Sequence, residues 1–216
     1  MQELNVLDDI QFRAIEASIS ASRLKRYMAA AEKDRWFSLQ YYLWNANICE
    51  SFYMPIHVFE IVVRNCIVKA LVNKYKEKWY EHLHFLQWLD DDSRDILNRT
   101  VLKERQKHGE ALTHEHIVSE LSLGFWEGLT KTTWKNQIWP NGISQFFPNA
   151  PKSVAIDDLN KKIQTVRTFR NRIAHHSAIY DKNPTRKLQI ISEIISWSCN
   201  VTAAWVNSTS GVAPAI

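Results

Sequence analysis

The sequence is poor in the two residues that build tight turns, with 5 Gly and 6 Pro among 216 residues. An all-β sandwich or barrel needs many such turns and normally uses more of both residues. The chain instead contains long stretches whose apolar residues recur at steps of three and four, the spacing of an amphipathic helix. Its apolar content of 45% is enough for a sizeable core. These features predict an all-α protein and exclude wholesale disorder.

Cysteine is also scarce, and the three residues present, Cys49, Cys66 and Cys199, are far apart in the chain. An odd number without a Cys-x-x-Cys pair argues against a disulfide framework and against a zinc site. Each lies in an apolar helical pattern, so we expect buried thiols in a reducing cytosol.

Targeting, membrane and nucleotide-binding signals are missing as well. Residues 1–15 carry acidic side chains and no apolar signal region, and the longest apolar stretch, 58–72, is interrupted by charged and polar residues. We therefore expect a cytoplasmic protein with no membrane partner. There is no Gly-rich phosphate loop, so we expect no ATP, NAD or other cofactor.

Apolar periodicity, caps and breaks predict a bundle of six to eight helices in a single domain over residues 1–206. Residues 207–216 are small or polar and are predicted to form a disordered tail. The predicted helices cover 4–28, 34–52, 56–75, 92–107, 113–121, 156–178 and a last segment from Pro184 through Trp205, with short helical pieces at 74–89 and a loop at 139–151.

Two groups of residues invite a metal hypothesis that their spacing does not support. The Asp run at 90–92 cannot converge its side chains on one cation, and it suits the first turn of a helix. His114 and His116 are two residues apart and therefore lie on different helix faces, with His108 elsewhere. We expect no metal site.

Glu60 and Arg64 are four residues apart within the third predicted helix. This spacing allows an ion pair along the helix surface. We interpret the pair as structural, with a functional role as the alternative.

Residues 161–176 concentrate positive charge that the net charge of +4 conceals. The helix dipole favours cations near a helix C-terminus and accounts for the arginines, but not for their crowding with Asn and two His beside apolar residues. The five basic residues are Lys161, Lys162, Arg167, Arg170 and Arg172, followed by His175 and His176, with no acid between them.

Helical geometry separates two of these side chains. Arg170 and His175 are five residues apart, which places them roughly 140° apart around a helix. They can serve one site only if the helix is distorted or a second copy of the chain contributes. Arg170 also falls on an apolar stripe, where it needs an anionic partner, a backbone acceptor or a symmetric interface.

The segment Arg170-Asn-Arg-Ile-Ala-His175-His176 resembles the Arg-Asn-x-x-x-His signature of HEPN domains. Three further blocks in the same order resemble the Abi-like (abortive infection) bacterial family within that group. They are Leu43-Trp-Asn45, Glu60-Ile-Val-Val-Arg64-Asn65 and Glu120-Leu-Ser-Leu-Gly-Phe-Trp126, so the resemblance spans about residues 35–200.

The resemblance implies an all-helical HEPN-type bundle with extra helices that pairs as a homodimer. It further implies metal-independent RNA cleavage, with Arg170 and His175 meeting across the dimer and Asn171 as the polar residue beside the Arg. A toxin or phage-defence role follows, with an antitoxin or regulatory partner conceivable. The resemblance also implies family members that only bind RNA or protein, so the fold does not settle the activity.

These residue types suit cleavage of RNA without metal. Histidine titrates near neutrality, so His175 is a candidate acid or base, and Arg170 offers a rigid fork of donors to a phosphate in the transition state. Asn171 would orient His175 or the RNA backbone. His176 and Arg172 are possible accessory residues, with His176 either structural or facing the substrate. Lys161, Lys162 and Arg167 are candidate contacts to RNA phosphates.

Overall fold

The computed structural model describes residues 8–215, and its regular secondary structure within that range is entirely helical, with no strand. The all-α prediction is confirmed. The predicted count of six to eight is too low, because eleven helices have six or more residues and two more have four. Two predicted helices are each split in two, and short helices occupy segments that connect the longer ones.

The first predicted helix, at 4–28, is two helices, and its first four residues lie outside the described part of the chain. Helix α1 spans Asp9–Ile19 and α2 spans Ala21–Ala30. Between them Ser20 adopts φ 83°, and its side chain accepts a hydrogen bond from the Arg23 N–H as the cap of α2. A serine that caps a new helix stops the preceding one, which apolar periodicity alone cannot detect.

The next two helices confirm the prediction closely. Helix α3 spans Arg35–Ser51, capped by Asp34, and α4 spans Tyr53–Tyr75. Helix α4 begins three residues earlier than predicted because Pro55 lies inside its first turn, where a missing N–H costs nothing.

Short elements follow as predicted for 74–89 and 113–121, with a longer helix between them. The helices here are α5 (Leu83–Trp88), α6 (Asp91–His108), α7 (His114–Glu120), α8 (Leu123–Gly128) and α9 (Lys135–Ile138). Single 3-10 turns precede α5 (Trp79–Glu81), α7 (Gly109–Ala111) and α9 (Thr132–Trp134). The predicted loop at 139–151 contains one further 3-10 turn, Ile143–Gln145.

The C-terminal part contains four helices. Helix α10 spans Ile156–Ala174 and therefore ends four residues before the predicted 178. Helices α11 (Pro184–Ser198) and α12 (Asn200–Thr209) replace the single helix predicted from Pro184, because Cys199 between them has extended backbone angles.

The segment predicted as a disordered tail is largely helical over its described part. Residues 207–209 close α12, and α13 spans Val212–Ala215. The Trp44 indole donates to the Ala215 carbonyl at 2.9 Å, and Val212 is fully buried in the main core. These contacts, together with a hydrogen bond from the Ser192 hydroxyl to the Asn207 Oδ1, hold this segment on α3, α11 and the core.

Helix α4 lies at the centre of the main core, with ten buried residues that face α3, α8, α11 and α12. The large indoles of Trp79, Trp126 and Trp139 are almost completely buried there. A second, smaller cluster of Phe12, Leu24 and Leu39 joins α1 and α2 to α3. The N-terminal pair is therefore attached through few buried side chains.

The three cysteines carry free thiols, of which Cys66 is buried and the other two are half-buried. Burial raises the pKa of the Cys66 thiol. Within residues 8–215, none of the helices combines the length and the apolar character needed to cross a bilayer.

Candidate active site and nucleic-acid interface

Helix α10 ends in a compact turn immediately after the basic segment. The Ser177 N–H donates to the Arg172 carbonyl at 2.8 Å, and the His176 N–H donates to the Ile173 carbonyl at 2.9 Å. His176 has φ 54°, so the pattern is a Schellman motif with histidine where glycine is usual. The turn places His175 at the end of the helix, where its side chain is exposed.

Two arginines hold the chain as it leaves α10. Arg23 of α2 donates from Nη1 to the His176 carbonyl at 2.7 Å, and Arg172 donates from Nη2 to the Ala178 carbonyl at 3.0 Å. These contacts provide hydrogen-bond partners for two carbonyls beyond the helix end and hold the chain where it leaves α10.

Asn45 of α3 fixes the following residues from the other side. Its side-chain Oδ1 accepts hydrogen bonds from the Ile179 N–H at 2.7 Å and the Tyr180 N–H at 3.3 Å. The amide is 5% exposed, so both contacts are shielded from water. Asn45 belongs to the Leu43-Trp-Asn45 block, and its positioning role was not identified from the sequence.

Arg170 has the anionic partner that its place on an apolar stripe required, and that partner is Glu60. The Arg170 Nε lies 2.9 Å from the Glu60 Oε1, and its Nη1 makes a longer 3.5 Å contact with the Asn171 Oδ1. The predicted Glu60–Arg64 pair does not form among the described residues, and the Arg64 Nε is buried without a hydrogen-bond partner. A tertiary contact has replaced the local one.

A cleft of about 300 Å³ between α4 and α10 contains this pair. Its walls include Tyr53 and His57 of α4, whose rings are parallel within 9° at a centroid distance of 6.2 Å. Tyr53 is 76% exposed. Neither residue was predicted from the sequence, although Tyr53, His57 and Glu60 recur at the spacing of one helix face.

His175 lines a different cleft, of about 350 Å³, between α2 and the end of α10. Arg23, Arg26, Arg172 and His176 share this cleft, which we call the α2 pocket. No carboxylate is among its lining residues, the remainder of which are Ser20, Ser22, Tyr27, Ser177 and Ala178. The contribution of α2 was missed because its arginines are about 150 residues distant in sequence.

The carboxylate of Asp181 lies beside this group of cations. Arg26 and Lys182 both pair with it, the latter at 3.3 Å. Burial acts to raise the pKa of Asp181, but hydrogen bonds from Lys182 and Arg26 outweigh it and hold that pKa below its usual value. Asp181 is therefore ionised at neutral pH, and the surrounding cations outnumber it.

The basic surface continues past Arg172 into a third cleft, of about 400 Å³. Lys182 and Lys187 line it together with polar residues of α10 and the Phe169 ring. Because Arg172 lines both this cleft and the α2 pocket, positive side chains border the C-terminal half of α10 without a break.

The three residues predicted to contact RNA phosphates each have a carboxylate partner in the chain. Lys161 is the most accessible of them, with a side chain 68% exposed. The pairs are Lys161–Asp157 at 2.6 Å, Lys162–Glu193 at 2.6 Å, and Arg167 with the buried Glu127. The free cationic surface thus lies nearer the helix end than predicted.

The block 120–126 includes the start of α8, which packs against α10. Trp126 is 1% exposed, and its indole donates to the Leu121 carbonyl at 3.2 Å. A Cβ added at Gly124 would lie 3.4 Å from the Arg167 Nη1, so a glycine lets α8 approach that arginine closely. This block is structural in its contacts.

The histidines that suggested a metal have other partners. His108 and His116 stack with centroids 3.8 Å apart, His116 accepts a hydrogen bond from the Thr113 N–H, and His114 pairs with Glu77 at 2.7 Å. Across residues 8–215, no three His, Cys, Asp or Glu side chains come together in a metal-binding arrangement.

The motif residues are thus divided between two clefts of one chain. Arg170 and Glu60 lie in the cleft against α4, whereas His175, His176 and Arg172 lie in the α2 pocket. Arg170 and His175 therefore point into different clefts, as predicted from their five-residue spacing on the helix.

No protein-family model, no curated protein and no solved structure matches this chain.

Proposed function

We propose that this protein is a metal-independent endoribonuclease of the HEPN type, acting as a toxin or phage-defence effector. The observation that carries the proposal is the end of α10, where Glu60 orients Arg170 in one cleft and the exposed His175 lines a second, basic cleft, the α2 pocket. The all-helical fold and the four motif blocks of the Abi-like resemblance support it.

Arg170 is suited to stabilise the transition state of phosphodiester cleavage. Glu60 holds its Nε, which leaves terminal N–H groups of the guanidinium for a phosphate in the cleft that Arg170 lines. A preoriented fork of donors matches the non-bridging oxygens of a phosphorane and needs no rearrangement as charge develops.

His175 is suited to proton transfer because its imidazole is exposed at the helix end and is not engaged in an ion pair among the described residues. In the proposed reaction a base removes the 2′-hydroxyl proton, and the 2′-oxygen attacks the adjacent phosphorus. The bond to the 5′-oxygen then breaks, and an acid protonates that oxygen. The products are a 2′,3′-cyclic phosphate and a free 5′-hydroxyl.

Two arrangements can bring a histidine to Arg170. In the first, a symmetric homodimer places His175 of one copy beside Arg170 of the other, as the resemblance implies. In the second, His57, which shares the cleft with Arg170, supplies the imidazole within one chain. The first arrangement uses the motif, and we favour it.

The separation of Arg170 and His175 also favours a second candidate function, a non-catalytic RNA- or protein-binding module. Each cleft contains positively charged side chains. Neither cleft alone contains both an acid–base pair and the arginine that would hold the reacting phosphate. Such a module would bind RNA through the basic border of α10 and leave it intact.

Cleavage of RNA in the presence of EDTA tests the proposal. We expect the purified protein to cleave total RNA without divalent metal and to leave 2′,3′-cyclic phosphate ends. Arg170→Ala is expected to lower the rate about 10²–10³-fold, and His175→Ala about 10²–10⁴-fold, through loss of a transition-state donor and of an acid–base group.

Exposed residues outside both clefts provide matched controls. Arg99→Ala and His84→Ala remove the same side-chain types and should retain full activity. If His57→Ala abolishes cleavage and folded His175→Ala does not, the site is the one within a single chain. Full activity of both histidine variants, or cleavage that requires magnesium, would reject the mechanism, and RNA binding without any cleavage would establish the binding module.

A further inference from the structure

The α2 pocket has features of a phosphate site that the motif does not include. Its cations come from two distant parts of the chain, Arg23 and Arg26 on α2 and Arg172 on α10. Ser22 and the Ser20 cap of α2 add hydroxyl groups at the start of that ten-residue helix, where the helix dipole is positive.

The three arginines are each held by contacts within the chain and keep other donors free. Arg23 and Arg172 each donate from one terminal nitrogen to a backbone carbonyl, and Arg26 pairs with Asp181 and lies 5.9 Å from the Tyr180 ring centroid. A guanidinium has five N–H donors, so several remain for a ligand. The Arg172 Nε is buried and has no hydrogen-bond partner in the described chain.

Charge in the pocket is unbalanced. Arg26 and the adjacent Lys182 pair with the Asp181 carboxylate, whereas Arg23 and Arg172 have no ion pair among residues 8–215. Like charges held this close destabilise one another unless an anion is bound between them.

Tyr27 extends the pocket with a neutral donor. It is 2% exposed, and burial raises the pKa of its hydroxyl to about 12. The group therefore stays protonated at neutral pH and adds no negative charge beside the arginines.

We propose that the α2 pocket binds a phosphate group, and that in RNA it seats a backbone phosphate beside His175. Tetrahedral phosphate oxygens fit converging guanidinium forks, which bind them through paired N–H donors. The RNA part of this inference rests on the proposed function, whereas the binding of phosphate itself does not.

Binding is tested with two probes on the full chain. Inorganic phosphate is titrated by calorimetry, with sulfate for comparison, and a short 2′-O-methyl oligoribonucleotide, which lacks the attacking hydroxyl, then competes for the site. We expect Arg26→Gln and Arg23→Gln to weaken phosphate binding about 10–100-fold, as expected for loss of a charge-assisted contact.

Arg99→Gln is the matched control, because it removes the same charge from an exposed position on α6. It should bind phosphate as tightly as the unaltered protein. Arg26→Gln breaks no backbone contact, so it remains informative if Arg23→Gln unfolds. Equal affinity of Arg26→Gln and Arg99→Gln would overturn the phosphate site.

Three further outcomes separate this inference from the proposed function. Phosphate binding that the oligonucleotide cannot displace would overturn the RNA seat and identify a site for free phosphate only. Phosphate binding with displacement, in a protein that never cleaves RNA, would support the pocket and reject the ribonuclease. Cleavage of RNA by a protein with no phosphate affinity at this site would support the ribonuclease and overturn the phosphate site.

Discussion

His176 has a backbone conformation that favours glycine, and the sequence around it contains none. The helix was predicted to continue to 178 because no glycine or proline stops it. It ends at Ala174 because Arg23 and Asn45, from α2 and α3, satisfy the backbone groups of the following turn. Contacts between residues more than 130 positions apart cannot be predicted from local periodicity.

Replacement of His176 tests whether this turn stores strain. We expect His176→Gly to be more stable than His176→Ala by about 1 kcal/mol, because only the second must hold a Cβ at positive φ. Both variants lack the imidazole, so the difference between their stabilities reports the cost of holding a Cβ at positive φ. In a chain of this size it corresponds to a difference in melting temperature of roughly 2–4 °C. A lower melting temperature for the glycine variant would contradict the assignment of the turn.

Arg170 illustrates what the sequence could and could not establish at this scale. Its place on an apolar stripe predicted a need for an anionic partner. Glu60 was assigned to Arg64 because only the near neighbour is visible in sequence, whereas its partner is 110 residues away. The ion pair is partly exposed, with side chains 44% and 28% accessible, so its contribution is to orientation more than to stability.

At the scale of helices, the long periodic elements were predicted best. Helices α3, α4 and α6 match their predicted bounds within three residues because an apolar stripe and a cap or proline agree at each start. The breaks at Ser20 and Cys199 were missed because the apolar spacing continues across them.

Helices α1 and α4 should differ strongly in local stability. Helix α1 buries one side chain, Phe12, whereas α4 buries ten. We expect α1 amides to exchange with solvent through local opening and α4 amides only through global unfolding. Native-state hydrogen exchange measures both in one sample. Equal protection of the two helices would show that the small cluster around Phe12 is held as firmly as the main core.

The whole molecule raises the question of a second copy. Two observations predicted a homodimer, and one of them, the arginine on an apolar stripe, is answered within the chain by Glu60. The other observation, the divergence of Arg170 and His175 around the helix, still favours a dimer because the two residues line separate clefts. A particle of twice the 25.3 kDa chain mass in light scattering would agree with the dimer, and a 25 kDa particle at micromolar concentration would contradict it.

Mixing two inactive variants tests whether the dimer completes the active site. If Arg170 of one copy acts with His175 of the other, a mixed dimer of Arg170→Ala and His175→Ala contains one intact pair and one doubly altered pair. Random exchange makes half of the dimers mixed, so about a quarter of the original sites should be restored. The measurement is RNA cleavage in EDTA after the two proteins are unfolded and refolded together, compared with each refolded alone. Restored cleavage requires contributions from two chains, because neither variant has both side chains. A dimer that refolds fully and shows no restored cleavage would contradict the shared site and would leave His57, which lines the same cleft as Arg170, as the candidate imidazole.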